Sequence, residues 1–82
     1  MYVLYILKSE ILPKSYVGIT NDLTRRLREH NSGQHSYTKR YIPWKVIYTE
    51  ECSGLQQARK REKYFKSASG RRYMKKNFGQ LK

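Results

Sequence analysis

Residues 2–19 read YVLYILKSEILPKSYVGI, and the rest of the chain completes the architecture that this stretch begins. Residues 2–8 are aliphatic and aromatic and are too few for a stable helix, which predicts a buried strand. Residues 15–19 form a second β-prone run after a polar segment that contains a proline. The two runs are predicted to pair as an antiparallel hairpin with a loop longer than a tight turn.

A helix and a loop are predicted after this hairpin. Residues 20–22 (Thr-Asn-Asp) supply N-cap candidates, Leu23 and Leu27 recur four residues apart, and Asn-Ser-Gly at 31–33 is typical of a helix end. Beyond it, residues 35–41 are polar, basic and aromatic without a helical or strand period. This composition favours a substrate-facing loop.

The remaining sequence predicts a third strand over 44–49 and two helices. One helix opens after residue 54, and the last spans 71–77 with Ser69 as its cap. The side chains predicted to face inward are Leu55, Ala58, Glu62, Phe65, Tyr73 and Met74. The predicted fold is therefore α/β (α+β), a small, mainly antiparallel three-stranded sheet flanked by helices in the order β-β-α-β-α-α.

Composition limits the size of the protein and the partners it could bind. A chain of 82 residues suits one domain, which we place at residues 1–78 with a C-terminal tail at 79–82. Eighteen Lys and Arg against 6 Asp and Glu give a net charge of +12, which favours a polyanionic partner. Nucleic acid is the first candidate and an anionic membrane surface the second. The single cysteine, Cys52, excludes an internal disulfide and a multi-cysteine zinc site. With no apolar run of membrane-spanning length and no secretory leader, a cytoplasmic protein without membrane contact is expected.

Glu62 has an unusual setting. From Cys52 to the C-terminus it is the only acidic residue among ten Lys and Arg. On an ideal helix it shares the apolar face, where a carboxylate is costly unless a cation or metal receives it. Two alternatives stay open: a structural ion pair with a basic neighbour such as Arg59 or Lys66, or a metal ligand.

Arg26 and His30 form a second constellation. They lie four residues apart on the predicted first helix, so both side chains project from one face. A guanidinium offers a fork of donors to phosphoryl oxygens, and a histidine accepts or shuttles a proton near neutral pH. The alternative is a solvated basic face, because Arg25 and Arg28 crowd the same helix.

Tyr5 and Tyr16 form a third constellation, one on each strand of the hairpin. Alternation places Tyr16 on the face of Gly18, whose missing side chain leaves space for a backbone or ligand beside the phenol. The two tyrosines could line a pocket, or they could pack as ordinary core and surface residues in a chain with eight tyrosines.

Taken together, these residues resemble the GIY-YIG nuclease domain. The resemblance rests on Val-Leu-Tyr at 3–5, Tyr-Val-Gly at 16–18, Arg26, His30 and the helical Glu62, and it runs over nearly the whole chain. Valines stand at positions 3 and 17 where the family pattern has glycine and isoleucine, and neither change removes a chemical group. In sequence style the chain is similar to the small stand-alone bacterial members.

The resemblance implies a metal-dependent DNA endonuclease that hydrolyses phosphodiester bonds, with a role in DNA repair or recombination. It implies that Glu62 holds one divalent metal ion, Mg²⁺ or Mn²⁺, and that Tyr5 and Tyr16 line the site. Tyr16 or a water on the metal would supply the activated oxygen, Arg26 would neutralise charge on the scissile phosphate, and His30 would deprotonate or orient the tyrosine.

Two further residues and the partners follow from the same resemblance. Many family members carry a late asparagine near the metal site, and Asn77 is the candidate here, while His35 could approach from its loop. We expect DNA to bind the basic C-terminal helices and the 35–41 loop, a protein partner to supply substrate specificity, and the protein itself to be a monomer because of its high charge.

Two other function classes remain open at this stage. The chain could be a basic nucleic-acid-binding module that keeps the fold without catalysis and derives its affinity from counterion release. It could also be a ribosome- or RNA-associated basic protein. Metal-dependent turnover would separate the enzyme from both, and competition between RNA and DNA would separate the two binding proteins.

Overall fold

The computed structural model describes residues 1–78, and the predicted tail at 79–82 lies outside the described residues. Within the described part, no helix is both long and apolar enough to cross a membrane. A 3₁₀ helix covers Thr38–Tyr41, inside the segment predicted as a loop. The other elements are β1 (Tyr2–Ser9), β2 (Ser15–Thr20), α1 (Leu23–Asn31), β3 (Trp44–Cys52), α2 (Leu55–Phe65) and α3 (Ala68–Phe78), which confirms the predicted order.

The three strands form one sheet in the order β2-β1-β3, with β1 in the centre. Both pairings are antiparallel, as predicted, and Tyr5 on β1 lies opposite Gly18 on β2 and Thr49 on β3. The β1–β3 pairing shifts by one residue between Ile6 and Leu7. Because β2 has a strand partner on one side only, its other side is an edge of the sheet.

The alternation of side chains along β1 divides the core into two layers. Leu4 and Ile6 pack on one face beneath α2 and α3, with Ala58, Phe65 and Met74. Tyr5 and Leu7 pack on the other face with Trp44, Tyr16, Leu23 and Leu27. Burial of each large aliphatic side chain stabilises the fold by about 1.5–3 kcal/mol. The second layer brings α1, which carries Arg26 and His30, over Tyr5.

The last helix begins earlier than predicted. It starts at Ala68 rather than residue 71. Its cap is Ser67 instead of Ser69, because the Ser67 hydroxyl accepts a 3.3 Å hydrogen bond from the Gly70 amide. Gly70 is a buried helical residue and not a break, because a Cβ at this position would collide with the Tyr64 carbonyl and the Phe65 backbone. The glycine therefore allows close packing between α2 and α3.

Two predicted core positions are wrong, and β3 is longer than expected. Leu55 is exposed because it lies in the first turn of α2, among exposed neighbours. Tyr73 is also exposed, although its ring makes T-shaped contacts with the rings of Phe65 and Phe78. β3 continues to Cys52 because its final residues pair with the start of β1.

A charged cluster joins β3 to α2. Glu50 accepts hydrogen bonds from Arg61 Nε and Nη2, both at 2.8 Å, and from the Tyr48 hydroxyl at 2.5 Å. The Arg61 guanidinium also lies 5.1 Å from the centres of the Tyr64 and Phe65 rings. Arg61 holds the pKa of Glu50 below its usual value, and burial raises the pKa of Tyr48 to about 12. The two-pronged geometry makes this pair stronger than an ordinary surface ion pair.

Glu50→Gln is expected to lower the free energy of unfolding by about 1–2 kcal/mol at pH 7, because the charge-assisted bonds to Arg61 are lost. Urea unfolding measures this, with Glu51→Gln at the exposed neighbouring position as the control. Since the pKa of Glu50 is lowered by folding, its contribution is present above its ordinary value of 4.5 and is lost as the pH falls below it. Equal stability of the two variants at pH 7 would contradict the assignment.

Candidate active site

Tyr5 is the centre of the site. Its side chain is 1% exposed, and its ring lies directly over Gly18 on the adjacent strand. A Cβ added to Gly18 would lie 2.5 Å from the Tyr5 hydroxyl oxygen and 3.0 Å from the Tyr16 ring. The space predicted beside Gly18 exists, but the phenol of Tyr5 fills it.

His30 holds Tyr5 from α1. The imidazole is 1% exposed, and its Nε2 lies 3.0 Å from the Tyr5 hydroxyl oxygen. Its Nδ1 lies 2.9 Å from the hydroxyl of the buried Thr38, whose carbonyl accepts a 2.8 Å bond from the Trp44 indole. The chain Tyr5–His30–Thr38 therefore connects β1, α1 and the 3₁₀ helix through buried hydrogen bonds.

Both ends of the Tyr5–His30 bond are neutral near pH 7. Burial lowers the pKa of His30 to about 4, and the nearby His35 and Arg26 act in the same direction. Burial also raises the pKa of Tyr5 to about 12, with Tyr16 adding to the effect and Arg26 opposing it. A neutral imidazole satisfies both hydroxyls in either tautomer, because one ring nitrogen donates while the other accepts. Tyr5 then acts as a neutral hydrogen-bonding group.

Tyr16 is the tyrosine that solvent can reach. Its ring lies 4.8 Å from the His30 ring centre and 6.2 Å from that of Tyr5. It also contacts the ring of Tyr37 at 6.4 Å and lines a groove of about 670 Å³ along the edge strand β2. Of the two predicted tyrosines, only Tyr16 thus combines contact with His30 and an open groove.

Arg26 lies beside this cluster and is held by Glu29. Its Nη1 is 3.1 Å from Glu29 Oε1, while the other oxygen of Glu29 binds Arg25 at 2.8 Å. The charge of Arg26 lowers the pKa values of both Tyr5 and His30, which places the guanidinium close to them. Because its side chain is partly exposed, Arg26 can offer donors to an anion from outside.

His35 is closer to the site than the sequence indicated. Its ring stacks on His30 with 4.7 Å between centres. Its Nε2 is buried without a hydrogen-bond partner among residues 1–78, and it lies 3.6 Å from Glu29 Oε1. The loop residue thus joins a group of Arg26, Glu29 and His30 on α1.

Glu62 lies on α2 and is partly accessible. Its side chain is 26% exposed, and Oε2 accepts a 2.9 Å hydrogen bond from Lys66 Nζ. This is the ion pair that the sequence left open as one alternative, and the role of Glu62 as a metal ligand stays a prediction. The Glu62 charge is near enough to contribute to the raised pKa of Tyr5. Asn77 is exposed and donates to the Tyr73 carbonyl within α3, outside the grooves that Tyr16 and Glu62 line.

Three residues of the site, Tyr37, Thr38 and Glu29, were not singled out by sequence reasoning as functional. Tyr37 and Thr38 had a weak signal, since both belong to the polar, aromatic segment 35–41. Glu29 could have been found from helical spacing, because it lies three residues after Arg26, whereas Lys66 was already named as a neighbour of Glu62. Their contacts with the predicted site residues are visible only in the folded chain.

Gly18→Ala is expected to lower the free energy of unfolding by about 1–3 kcal/mol, because the new methyl group displaces the Tyr5 ring. The cost should be smaller in a Tyr5→Leu background, where the phenol is absent. Urea unfolding of the four proteins in this cycle measures the coupling. Equal costs in the two backgrounds would show that Tyr5 is not what the methyl group meets.

His30→Gln is expected to flatten the pH dependence of stability. Folding lowers the pKa of His30 from 6.5 to about 4, so protonation favours the unfolded chain and wild-type stability falls as the pH drops through this window. The free energy of unfolding falls by roughly 3 kcal/mol across the whole range between these two pKa values. Glutamine does not titrate, so unfolding free energies measured from pH 7 to pH 4 should fall less in the variant. Parallel curves would contradict a neutral, buried His30.

Comparison with known proteins finds bacterial relatives of similar sequence. A UPF0213 protein of Streptococcus agalactiae is 40% identical over 52 residues, 62% of this chain and 59% of the relative. YazA, a UPF0213 protein of Bacillus subtilis, is 42% identical over 52 residues, 62% of this chain and 52% of the relative. A UPF0213 protein of Listeria welshimeri is 46% identical over 55 residues, 66% of this chain and 61% of the relative.

The chain thus spans about half to three fifths of the length of the curated relatives it matches. No solved structure gives a significant match. The family model for the GIY-YIG catalytic domain matches residues 1–77, which include both strands of the hairpin, α1 and Glu62. The chain therefore belongs to the GIY-YIG nuclease family.

Proposed function

We propose that the protein is a metal-dependent DNA endonuclease that hydrolyses phosphodiester bonds in DNA repair or recombination. The observation that carries this proposal is that Tyr16 lines a groove rich in cations and packs against His30, on which the charge of Arg26 also acts. A phenol held by a neutral imidazole, with a guanidinium nearby, suits the binding of a phosphodiester and the orientation of an attacking water.

DNA as the substrate class is supported by charge and by the shape of the surface. The chain carries +12, and the groove beside Tyr16 is lined by Lys14, Lys66, Arg71 and Lys75. Such a surface attracts the phosphate backbone through counterion release, without dependence on base sequence. We include in the proposal a protein partner that supplies substrate specificity.

A divalent metal ion fits the donors that are present. No three His, Cys, Asp or Glu side chains converge on a metal position within residues 1–78, so the chain offers Glu62 and not a cage. Mg²⁺ and Mn²⁺ suit this arrangement, because Mg²⁺ typically keeps several waters and binds one or two carboxylates together with substrate phosphates. A bound ion would supply Lewis-acid stabilisation of phosphoryl charge and acidify a water.

The chain's own residues perform the remaining steps in this proposal. Arg26 donates to the scissile phosphate and stabilises the charge that grows on it in the transition state. Tyr16, open to the groove, hydrogen-bonds the attacking water and orients it. His30 is neutral near pH 7, and both of its ring nitrogens are held by the hydroxyls of Tyr5 and Thr38, which fixes the imidazole ring against Tyr16. In this proposal His30 therefore orients Tyr16.

Glu62→Gln is expected to lower metal-dependent cleavage by at least roughly a hundredfold, because loss of the carboxylate removes several kcal/mol of metal-assisted stabilisation. End-labelled single-stranded, duplex and branched DNA, incubated with Mg²⁺, Mn²⁺ or chelator, measures cleavage on gels. The control is Glu51→Gln, which removes the same charge from an exposed position on β3. Both variants should still shift DNA in chelator.

Unchanged cleavage by Glu62→Gln would overturn the proposed metal site. If the wild type shifts DNA but never cuts it with any metal, the chain is a basic binding module. Its affinity should then fall steeply with salt, as expected from its excess of Lys and Arg.

A further inference from the structure

The groove along β2 has the composition of a nucleic-acid subsite. Its lining includes four cations: Lys14 from the β1–β2 loop, Lys66 at the C-cap of α2, and Arg71 and Lys75 from α3. No acidic residue is among the described residues that line it. Val17, Phe65 and Met74 form an apolar part of the lining. A groove with this charge and an apolar floor matches a strand whose phosphates meet the cations while its sugars meet the floor.

One wall of the β2 groove is aromatic. The Tyr37 side chain is 50% exposed, and its ring contacts Tyr16 on one side and Tyr41 at 5.4 Å on the other. The contacts hold the ring in place, while the exposed part is available to a sugar or base. A strand in this groove would therefore pass directly beside Tyr16.

Lys66 lines two pockets at once. It belongs to the β2 groove, and it also lines a smaller pocket with Arg59, Glu62 and Lys63. In the free protein its Nζ is 2.9 Å from Glu62 Oε2, although the Lys66 side chain remains 53% exposed. The same residue thus borders both the pocket that contains Glu62 and the basic groove.

An ion pair of this kind is readily exchanged. Exposed pairs four residues apart on a helix contribute little to stability, because water and salt screen them. The lysine stem is flexible, and its ammonium group binds phosphate oxygens as well as carboxylates. A phosphate in the β2 groove would therefore compete with Glu62 for Lys66.

We propose that Lys66 is shared between the two sites: it neutralises Glu62 in the free protein, and a DNA phosphate in the β2 groove draws it away. This inference rests on the proposed function, since it assigns Glu62 to a divalent cation. Release of Lys66 removes a competing positive charge from the oxygens that the cation needs. DNA binding and metal binding then strengthen each other by the same factor, as linkage requires.

The first test measures Mn²⁺ affinity in the free protein by the loss of the free-ion electron paramagnetic resonance signal. Lys66→Gln should bind Mn²⁺ roughly two- to fivefold more tightly than the wild type, the range that exposed ion pairs span. The matched control is Lys63→Gln, which removes the same charge from the same pocket without breaking a salt bridge seen in residues 1–78. Equal shifts in the two variants would overturn the proposal, because they would reflect net charge alone.

The second test measures affinity for a short DNA oligonucleotide in chelator by fluorescence anisotropy over a range of salt. Lys66→Gln should reduce the slope of log affinity against log salt by about one, as expected for one lost phosphate contact. When introduced into the wild-type chain, Glu62→Gln should raise the affinity for DNA. The same substitution should raise it less in a Lys66→Gln background. An unchanged slope, or equal effects of Glu62→Gln in both backgrounds, would overturn the proposal.

These outcomes are separable from the fate of the proposed function. If Glu62→Gln abolishes cleavage while Lys66→Gln behaves as Lys63→Gln does in the Mn²⁺ titration, the enzyme assignment holds and the shared lysine is wrong. If Glu62→Gln still cuts DNA, the metal assignment fails whatever Lys66 does. Circular dichroism of each variant confirms that the comparison is between folded proteins.

Discussion

The close packing of the Tyr5 phenol over Gly18 is the contact on which the rest of the site depends. With a side chain at position 18, the phenol could not occupy the place over β2 from which its hydroxyl reaches His30. His30 in turn binds Thr38, and the Trp44 indole binds the Thr38 carbonyl. A missing Cβ on an edge strand thereby determines where α1 and the 3₁₀ helix sit relative to the sheet.

Burial of this chain of hydrogen bonds explains its chemistry. A histidine and a tyrosine in water would titrate near pH 6.5 and 10, whereas here their pKa values move apart to about 4 and about 12. Desolvation is the largest cause in both cases, since it penalises imidazolium and phenolate alike. The neutral pair is a rigid support, and the groups that can meet a substrate are Tyr16 and Arg26 around it.

Acidic residues are few in this chain, and most of them pair with basic side chains. Asp22, Glu29, Glu50 and Glu62 form salt bridges, out of six Asp and Glu in total. Glu29 holds two arginines within α1, and Glu50 joins β3 to α2. Glu62 differs from these two because its partner, Lys66, also lines a groove that is basic. The positions of a few carboxylates thus divide a strongly basic surface into a part held in salt bridges and a part open to the groove.

Local patterns in the sequence determined the order of elements, the antiparallel hairpin and the family. Alternation along residues 2–8 and the spacing of Leu23 and Leu27 depend on neighbours a few residues away, so the chain itself reveals them. Helix ends were less predictable: Gly70 looks like a break, but it is a close contact between two helices. Only the tertiary structure decided that Tyr5 binds His30, that the His35 ring packs against the His30 ring, and that Lys66 lines two pockets. These contacts join side chains from separate elements, whose distances are set by packing and not by spacing along the chain.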